Sequence, residues 1–312
     1  MQSTNRPRID KLHQEIVAAI PCEKPKYRRD LANLSLGAAM TVYVNWADRF
    51  IPPRPRQVVF LDEFWASNAA WNNKLAILEL QKKVQSGADL TKHLSNMIDF
   101  KGYAPSKYDG NGMLLTSKWR DKDFALNAYN VHHLHLIQRP KRTGELLFAD
   151  FSPNTCVFVM VGDHNSFDEP ILEGKILNAR ANGGHELKGI MGPISGGYTP
   201  EERNELARAG ISTVVSVDGK VVIGASLSTA GTSDFTSWHA GRVLRALADL
   251  DNCIDDEKWV DQLFDGAKVS RPAQPDWDWT LSFTNLLLVE RHSKAAFPII
   301  EGRRGLTTQI SG

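Results

Sequence analysis

Cysteine is scarce in this chain: Cys22, Cys156 and Cys253 lie far apart and in no C-x-x-C arrangement. An odd number of scattered thiols excludes a disulfide framework and offers no cysteine zinc site, so reduced thiols are expected. An excess of one charge is also missing. The 37 Lys and Arg against 36 Asp and Glu leave a formal net charge of +1, which argues against a surface built throughout to coat nucleic acid but leaves room for a local basic patch. No run approaches the ~20 apolar residues needed to span a bilayer. The opening Met1-Gln2-Ser3-Thr4-Asn5-Arg6 lacks the apolar region of a secretory signal. A cytoplasmic location with no membrane partner is therefore expected. Repeats of fixed period and low-complexity tracts are absent as well. Gly183-Gly184, Gly196-Gly197 and Thr229-Ala230-Gly231-Thr232 fit neither G-x-x-x-x-G-K-S/T nor G-x-G-x-x-G. No G-x-S-x-G nucleophile elbow occurs.

What is present suits a globular chain able to bury a core: 312 residues, 42% hydrophobic and 23% charged, enough for two domains or one with additions. Between residues 8 and 49, Ile9, Leu12, Ile16 and Val17, then Leu31, Leu34, Met40, Val44 and Trp46 recur at helical spacing. They predict two helices separated near Pro21 and Pro25, with the basic stretch 23–29 a solvated loop or an anion contact. The prolines of Ile51-Pro52-Pro53-Arg54-Pro55-Arg56 forbid a helix and make a linker. A short strand over 57–61, a helix over 62–86 stopped by Gly87, and a short helix over 89–100 follow. A glycine-rich loop over 103–112 and a helical turn or two over 121–128 lead into the most distinctive stretch of the chain.

That stretch is Val131-His132-His133-Leu134-His135-Leu136, followed by the basic, turn-forming Gln138-Arg139-Pro140-Lys141-Arg142-Thr143-Gly144 and further apolar runs over 145–151 and 155–161. The pattern reads as a three-stranded antiparallel meander. Period-two alternation puts His133 and His135 on one face with Val131, and His132 with Leu134 and Leu136 on the other, where packing is the simpler account. The third strand ends in the polar Asp163-His164-Asn165-Ser166-Phe167. Beyond it come a helix over 170–179 and a well-signalled helix start at Thr199-Pro200-Glu201-Glu202. Two β-branched runs joined by Asp218-Gly219 form a hairpin. Helices over 234–249 and 255–264, late strands around Trp277 to Val289, and a frayed end over 302–312 complete the chain. The fold class is α+β: N-terminal helices over 1–56, a central α+β domain bearing the meander over 57–198, and a helix–hairpin–helix region over 199–312, with a single mixed body as the alternative.

Three imidazoles beside a basic turn suit phosphodiester cleavage by an RNA's own 2′-hydroxyl. That reaction needs a base, an acid and a cation for the phosphorane charge, and histidine titrates near physiological pH. The candidates are His133, His135 and His164 for proton transfer and Arg139, Lys141 and Arg142 for the phosphate, with RNA as partner and no cofactor. A second possibility is a metal-dependent hydrolase with a divalent metal on His133 and His135 and Asp163, His164 or His185 as further ligands, although the spacing matches neither a cupin nor an H-E-x-x-H protease. A third is an interaction or assembly protein, with a protein partner or in a homo-oligomer, whose histidines are structural. Lone His239 and His292, and the aromatics Phe64-Trp65 and Trp277 to Trp279, are expected to pack.

The stretch Asp123-Phe124-Ala125-Leu126-Asn127-Ala128-Tyr129-Asn130-Val131-His132-His133-Leu134-His135-Leu136, with Arg142, Leu146-Leu147-Phe148, Glu201-Glu202-Arg203 and Val217-Asp218-Gly219-Lys220-Val221, is similar to a family of uncharacterised bacterial proteins. The resemblance marks the histidine region as a defining feature and implies no reaction. In architecture, a small antiparallel sheet backed by N-terminal helices resembles the RelE-like and barnase-like ribonuclease toxins. That resemblance covers only residues 121–167, includes no catalytic motif, and implies an endoribonuclease by pattern alone.

Overall fold

The computed structural model describes residues 6–104, 123–141, 144–168, 170–183, 186–190, 197–228 and 232–307, and the fold is mixed α+β with several sheets. In chain order the elements are α1 (Pro7–Ala19), α2 (Pro25–Ala32), α3 (Leu36–Ala47), β1 (Gln57–Phe60), α4 (Asn68–Asn72), α5 (Lys74–Ser86), α6 (Phe124–Tyr129), β2 (Val131–His135), β3 (Leu146–Phe151), β4 (Thr155–Gly162), α7 (Pro170–Asn182), α8 (Pro200–Arg208), β5 (Val214–Val217), β6 (Lys220–Ile223), α9 (Asp234–Leu250), α10 (Glu257–Ala267), β7 (Trp277–Ser282), β8 (Asn285–Glu290) and β9 (Ala296–Ile300). Short 3-10 turns at Phe64–Ala66, Thr91–His93, Asn96–Asp99, His164–Asp168 and Cys253–Asp255 connect them.

Local chemistry explains where these elements differ from expectation. The basic stretch near Pro25 is helical, because proline at the first helical position is preorganised for a helix start. The helix expected over 62–86 is broken. Glu63 takes a left-handed conformation and Ser67 is extended, its hydroxyl accepting from Ala70 N at 3.1 Å to start α4 anew. The helix expected over 89–100 is two 3-10 turns: Asp89 accepts from Thr91 N at 2.8 Å and Ser95 from Met97 N at 3.3 Å, local bonds that compete with a helical ladder. At α8 a capping box forms, with Thr199 Oγ1 accepting from Glu202 N and the Glu202 carboxylate accepting from Thr199 N.

The chain divides into two compact units, each assembled from separate stretches. The first comprises 1–50, 99–103 and 235–306. In it α1 buries Ile9, Leu12 and Ile16, and β7, β8 and β9 pair antiparallel in that order. Asp48, 2% exposed, is held by the guanidinium groups of Arg303 and Arg304. Burial opposes its charge, but the two arginines outweigh that and keep its pKa below the ordinary carboxylate value. Residues 302–306, expected to fray, are thus anchored by a buried carboxylate that requires cations.

The second unit comprises 51–98, 104–234 and 307–312. Its sheet has the order β1-β4-β3-β2, with β1 parallel to β4 and the other pairs antiparallel. Helices α6 and α7 supply Ala125, Tyr129, Leu172 and Ile176 to a core with Val131, Leu146 and Phe148 on one face. On β4 Phe158 meets Phe60 and Phe64, at ring centroid distances of 5.4 and 6.3 Å. Covered sheets read as continuous apolar runs, as Leu146 to Ala149 does. The β5–β6 hairpin turns through Asp218 and Gly219, both at positive φ (49° and 79°), as a two-residue turn of this type demands. Among the described residues no helix is long and apolar enough to cross a membrane.

Candidate active site

The site is built at one end of the four-stranded sheet. β2 starts immediately after α6, whose cap Asn130 takes a left-handed conformation (φ 62°) that an asparagine tolerates, its amide donating to Asp150 at 3.0 Å. In register, His133 faces Phe148 and His135 faces Leu146 on β3, while Leu146 in turn faces Gly162 on β4. The ends of β2 and β4 therefore lie on the same edge of the sheet, ~10 Å apart with β3 between them. The 3-10 turn His164–Asp168 spans that gap. Its tight return is set by Asp163, whose carboxylate accepts from Asn165 N at 2.8 Å and Ser166 N at 3.3 Å, and by Gly162, where a side chain would collide with Ser166.

This geometry gathers the three expected histidines. The rings of His133 and His135 are 6.4 Å apart and those of His135 and His164 5.9 Å, while Phe167 stands against His133 at 4.9 Å and His164 at 6.2 Å. His133 Nδ1 lies 2.9 Å from Asp123 Oδ2, with side-chain exposures of 15% and 17%. Burial disfavours the His133 imidazolium, but the charge and hydrogen bond of Asp123 outweigh it, and the pKa stands above the ordinary histidine value. His135 is buried and His164 exposed. The cluster thus combines a carboxylate-held, largely covered imidazole with one open to solvent, two groups able to give and take protons.

The other candidates fall elsewhere. His132 is 2% exposed on the opposite face, edge-on to Phe151 at 5.5 Å. The Arg139 guanidinium donates to Thr91 O at 3.0 Å, and its backbone N donates to Lys92 O at 3.1 Å, tying the turn after β2 to the 91–93 turn. Lys141 is exposed along a groove beside β2. Arg142 and His185 lie outside the described residues. The Asp163 carboxylate is engaged by its own turn and makes no hydrogen bond to His164. Among the described residues no group of three or more His, Cys, Asp or Glu side chains is arranged to hold a metal ion.

Sequence reasoning missed Asp123, His93, Lys83 and Phe167 as parts of this region. For Asp123 a signal existed: an aspartate just before an apolar helical turn, where it caps α6 by accepting from Leu126 N at 3.1 Å. His93 carried no signal, since its partners come from other elements. Its Nδ1 is 2.7 Å from His135 O and its Nε2 3.2 Å from Lys83 Nζ. An ammonium only donates and a carbonyl only accepts, so the ring proton sits on Nδ1 and Nε2 accepts. Burial first, then the nearby Lys83 charge, holds the His93 pKa below its ordinary value despite the bond to His135, and the ring is neutral. Comparison with known proteins returns no match: no family model, no curated protein and no solved structure is significantly similar to the chain.

Proposed function

We propose that the protein is an endoribonuclease, acting in the cytoplasm on RNA, that cleaves by attack of the substrate's own 2′-hydroxyl with histidines as acid and base. The observation that carries this is the Asp123–His133 pair at 2.9 Å, linked through His135 and Phe167 to the solvent-exposed His164. In the proposed step His164 takes the 2′-hydroxyl proton as the oxygen bonds to phosphorus. The bond from phosphorus to the 5′-oxygen breaks, and His133, kept protonated by Asp123, gives its proton to that leaving oxygen. The products are a 2′,3′-cyclic phosphate and a free 5′-hydroxyl. Acid and base lie within the chain, so no step calls for a metal. Arg142, which lies outside the described residues and follows β2 in the sequence, is the cation assigned to the scissile phosphate.

The test is cleavage of a short RNA in EDTA. Single His133→Asn and His164→Asn substitutions should each lower the rate ~10²–10⁴-fold with unchanged melting, and a 2′-deoxy sugar at the scissile position should block cleavage. Activity that survives both substitutions refutes the assignment. A non-catalytic interaction protein is the second reading, favoured by the near-complete burial of His132 and His135 (2% and 3% exposed). On that reading a His133/His135 double substitution lowers the melting temperature, and no RNA binds at low salt.

A further inference from the structure

Beside the far side of His93 lies a groove of about 440 Å³, walled by α5 and the turn after β2. Among the described residues its polar lining is Lys83, His93, Gln138, Arg139 and Lys141, with Glu79 as the carboxylate. Half-buried ammonium groups are ordinarily neutralised by a carboxylate. Here Lys83 instead points one N–H at Nε2 of His93, and among the described residues no carboxylate pairs with its charge. Glu79, one turn earlier on α5, is exposed and makes no ion pair with it. The opposite wall is preorganised, because Arg139 is fastened at both its side chain and its backbone to the 91–93 turn. Between the cations the surface is apolar: Ala76, Leu136, Ile137 and Pro140, with Ile137 41% exposed.

We infer that this groove is a nucleotide-binding subsite, with the phosphate on Lys83 and Lys141 and the base lying against Ile137 and Pro140. A concave surface with an excess of cations concentrates anions. Its volume lies within the ~300–1,000 Å³ of small-molecule sites, which are mostly apolar with a few convergent polar groups. The inference deepens the cleavage reading by giving the substrate a second point of attachment, yet its test requires no turnover.

The test is calorimetric titration of the full chain with AMP, adenosine, inorganic phosphate and an uncleavable 2′-O-methyl trinucleotide. AMP should bind more tightly than either adenosine or phosphate alone. Lys83→Met should weaken AMP binding about tenfold, ~1.4 kcal/mol, and Lys83→Arg should retain most of it. If Lys83→Met melts early, Lys141→Ala, at an exposed position, provides the same comparison with a smaller loss. A trinucleotide that binds more tightly than AMP, and loses that binding with the same substitutions, makes the groove part of an RNA track. Equal or tighter binding of AMP makes it a site for a free nucleotide. The proposal is overturned if adenosine binds as well as AMP, if no nucleotide binds at millimolar concentration, or if neither lysine substitution changes the affinity. The two proposals fail separately: a His164→Asn protein that has lost cleavage should still bind AMP, whereas cleavage without AMP binding removes the groove and leaves the histidine site.

Discussion

Replacing Asp123 by asparagine separates charge from structure at the centre of the site. Two contacts of the carboxylate matter here: Oδ1 accepts from Leu126 N at 3.1 Å as the cap of α6, and Oδ2 lies 2.9 Å from His133 Nδ1. Asparagine caps a helix about as well as aspartate, so Asp123→Asn removes chiefly the ion pair. A hydrogen bond to a charged group contributes ~1.5–3 kcal/mol. With side-chain exposures of 15% and 17%, solvent screens this pair, which places it at about 2 kcal/mol. In a unit of this size that is a melting decrease of about 4–8 °C. The penalty must depend on pH. Burial lowers the His133 pKa but Asp123 raises it by more. The stabilisation is therefore fully present below the unfolded histidine value of ~6.5 and is lost as pH rises through the raised folded value. Urea unfolding should show the full penalty near pH 5.5 and little near pH 9, and the His133 resonance should titrate at lower pH in the variant. Equal penalties at both pH values, or a His133 midpoint that stays or rises, would refute the reasoning. If His133 is the acid, the alkaline limb of the cleavage profile should move to lower pH with it.

Two further outcomes concern the frame that holds the site. Glu173, 2% exposed on α7, meets Arg203 of α8 in two contacts, at 2.9 and 2.6 Å. Glu173→Leu alone should cost ~3–5 kcal/mol by leaving a half-buried guanidinium uncompensated, while a joint Glu173→Leu, Arg203→Met change should recover most of it; an additive double variant in chemical denaturation would contradict this. At Gly87 the backbone has φ 73°, and a Cβ would stand 2.6 Å from the main chain of Arg54 and Pro55. Gly87→Ala should therefore cost about 2 kcal/mol or more, and a loss below ~0.5 kcal/mol would show that the Arg54–Pro55 segment yields easily.

Much of the local structure was legible because its causes are neighbours in the chain. The capping box of Thr199 and Glu202, the left-handed stop at Gly87 and the paired positive φ angles of Asp218 and Gly219 are each set by residues within a turn of one another. Where two local causes competed, spacing misled. The apolar period of Leu90, Leu94 and Ile98 suggested a helix, but the side chains of Asp89 and Ser95 took the backbone donors and made two short turns. The alternation that parted His132 from His133 and His135 could be read in the strand, whereas the cover over the His133 face comes from α7, later in the chain, as well as from the adjacent α6.

The sequence by itself determined the helix caps, the hairpin turn, the strand bearing the histidines and the face on which each of them lies, since backbone sterics and period-two geometry act between adjacent residues. Only the tertiary structure decided which groups meet. The register of β2, β3 and β4 brought His164 to His135. The chain returned His93 and Lys83 to the back of the same strand, 42 residues away in sequence at the His93–His135 bond, and placed Asp48 between Arg303 and Arg304, 255 and 256 positions further on. Such partners are chosen by burial. A charge or ring nitrogen removed from water must find its complement within about 3 Å, and nothing in linear order specifies which residue folding will put there.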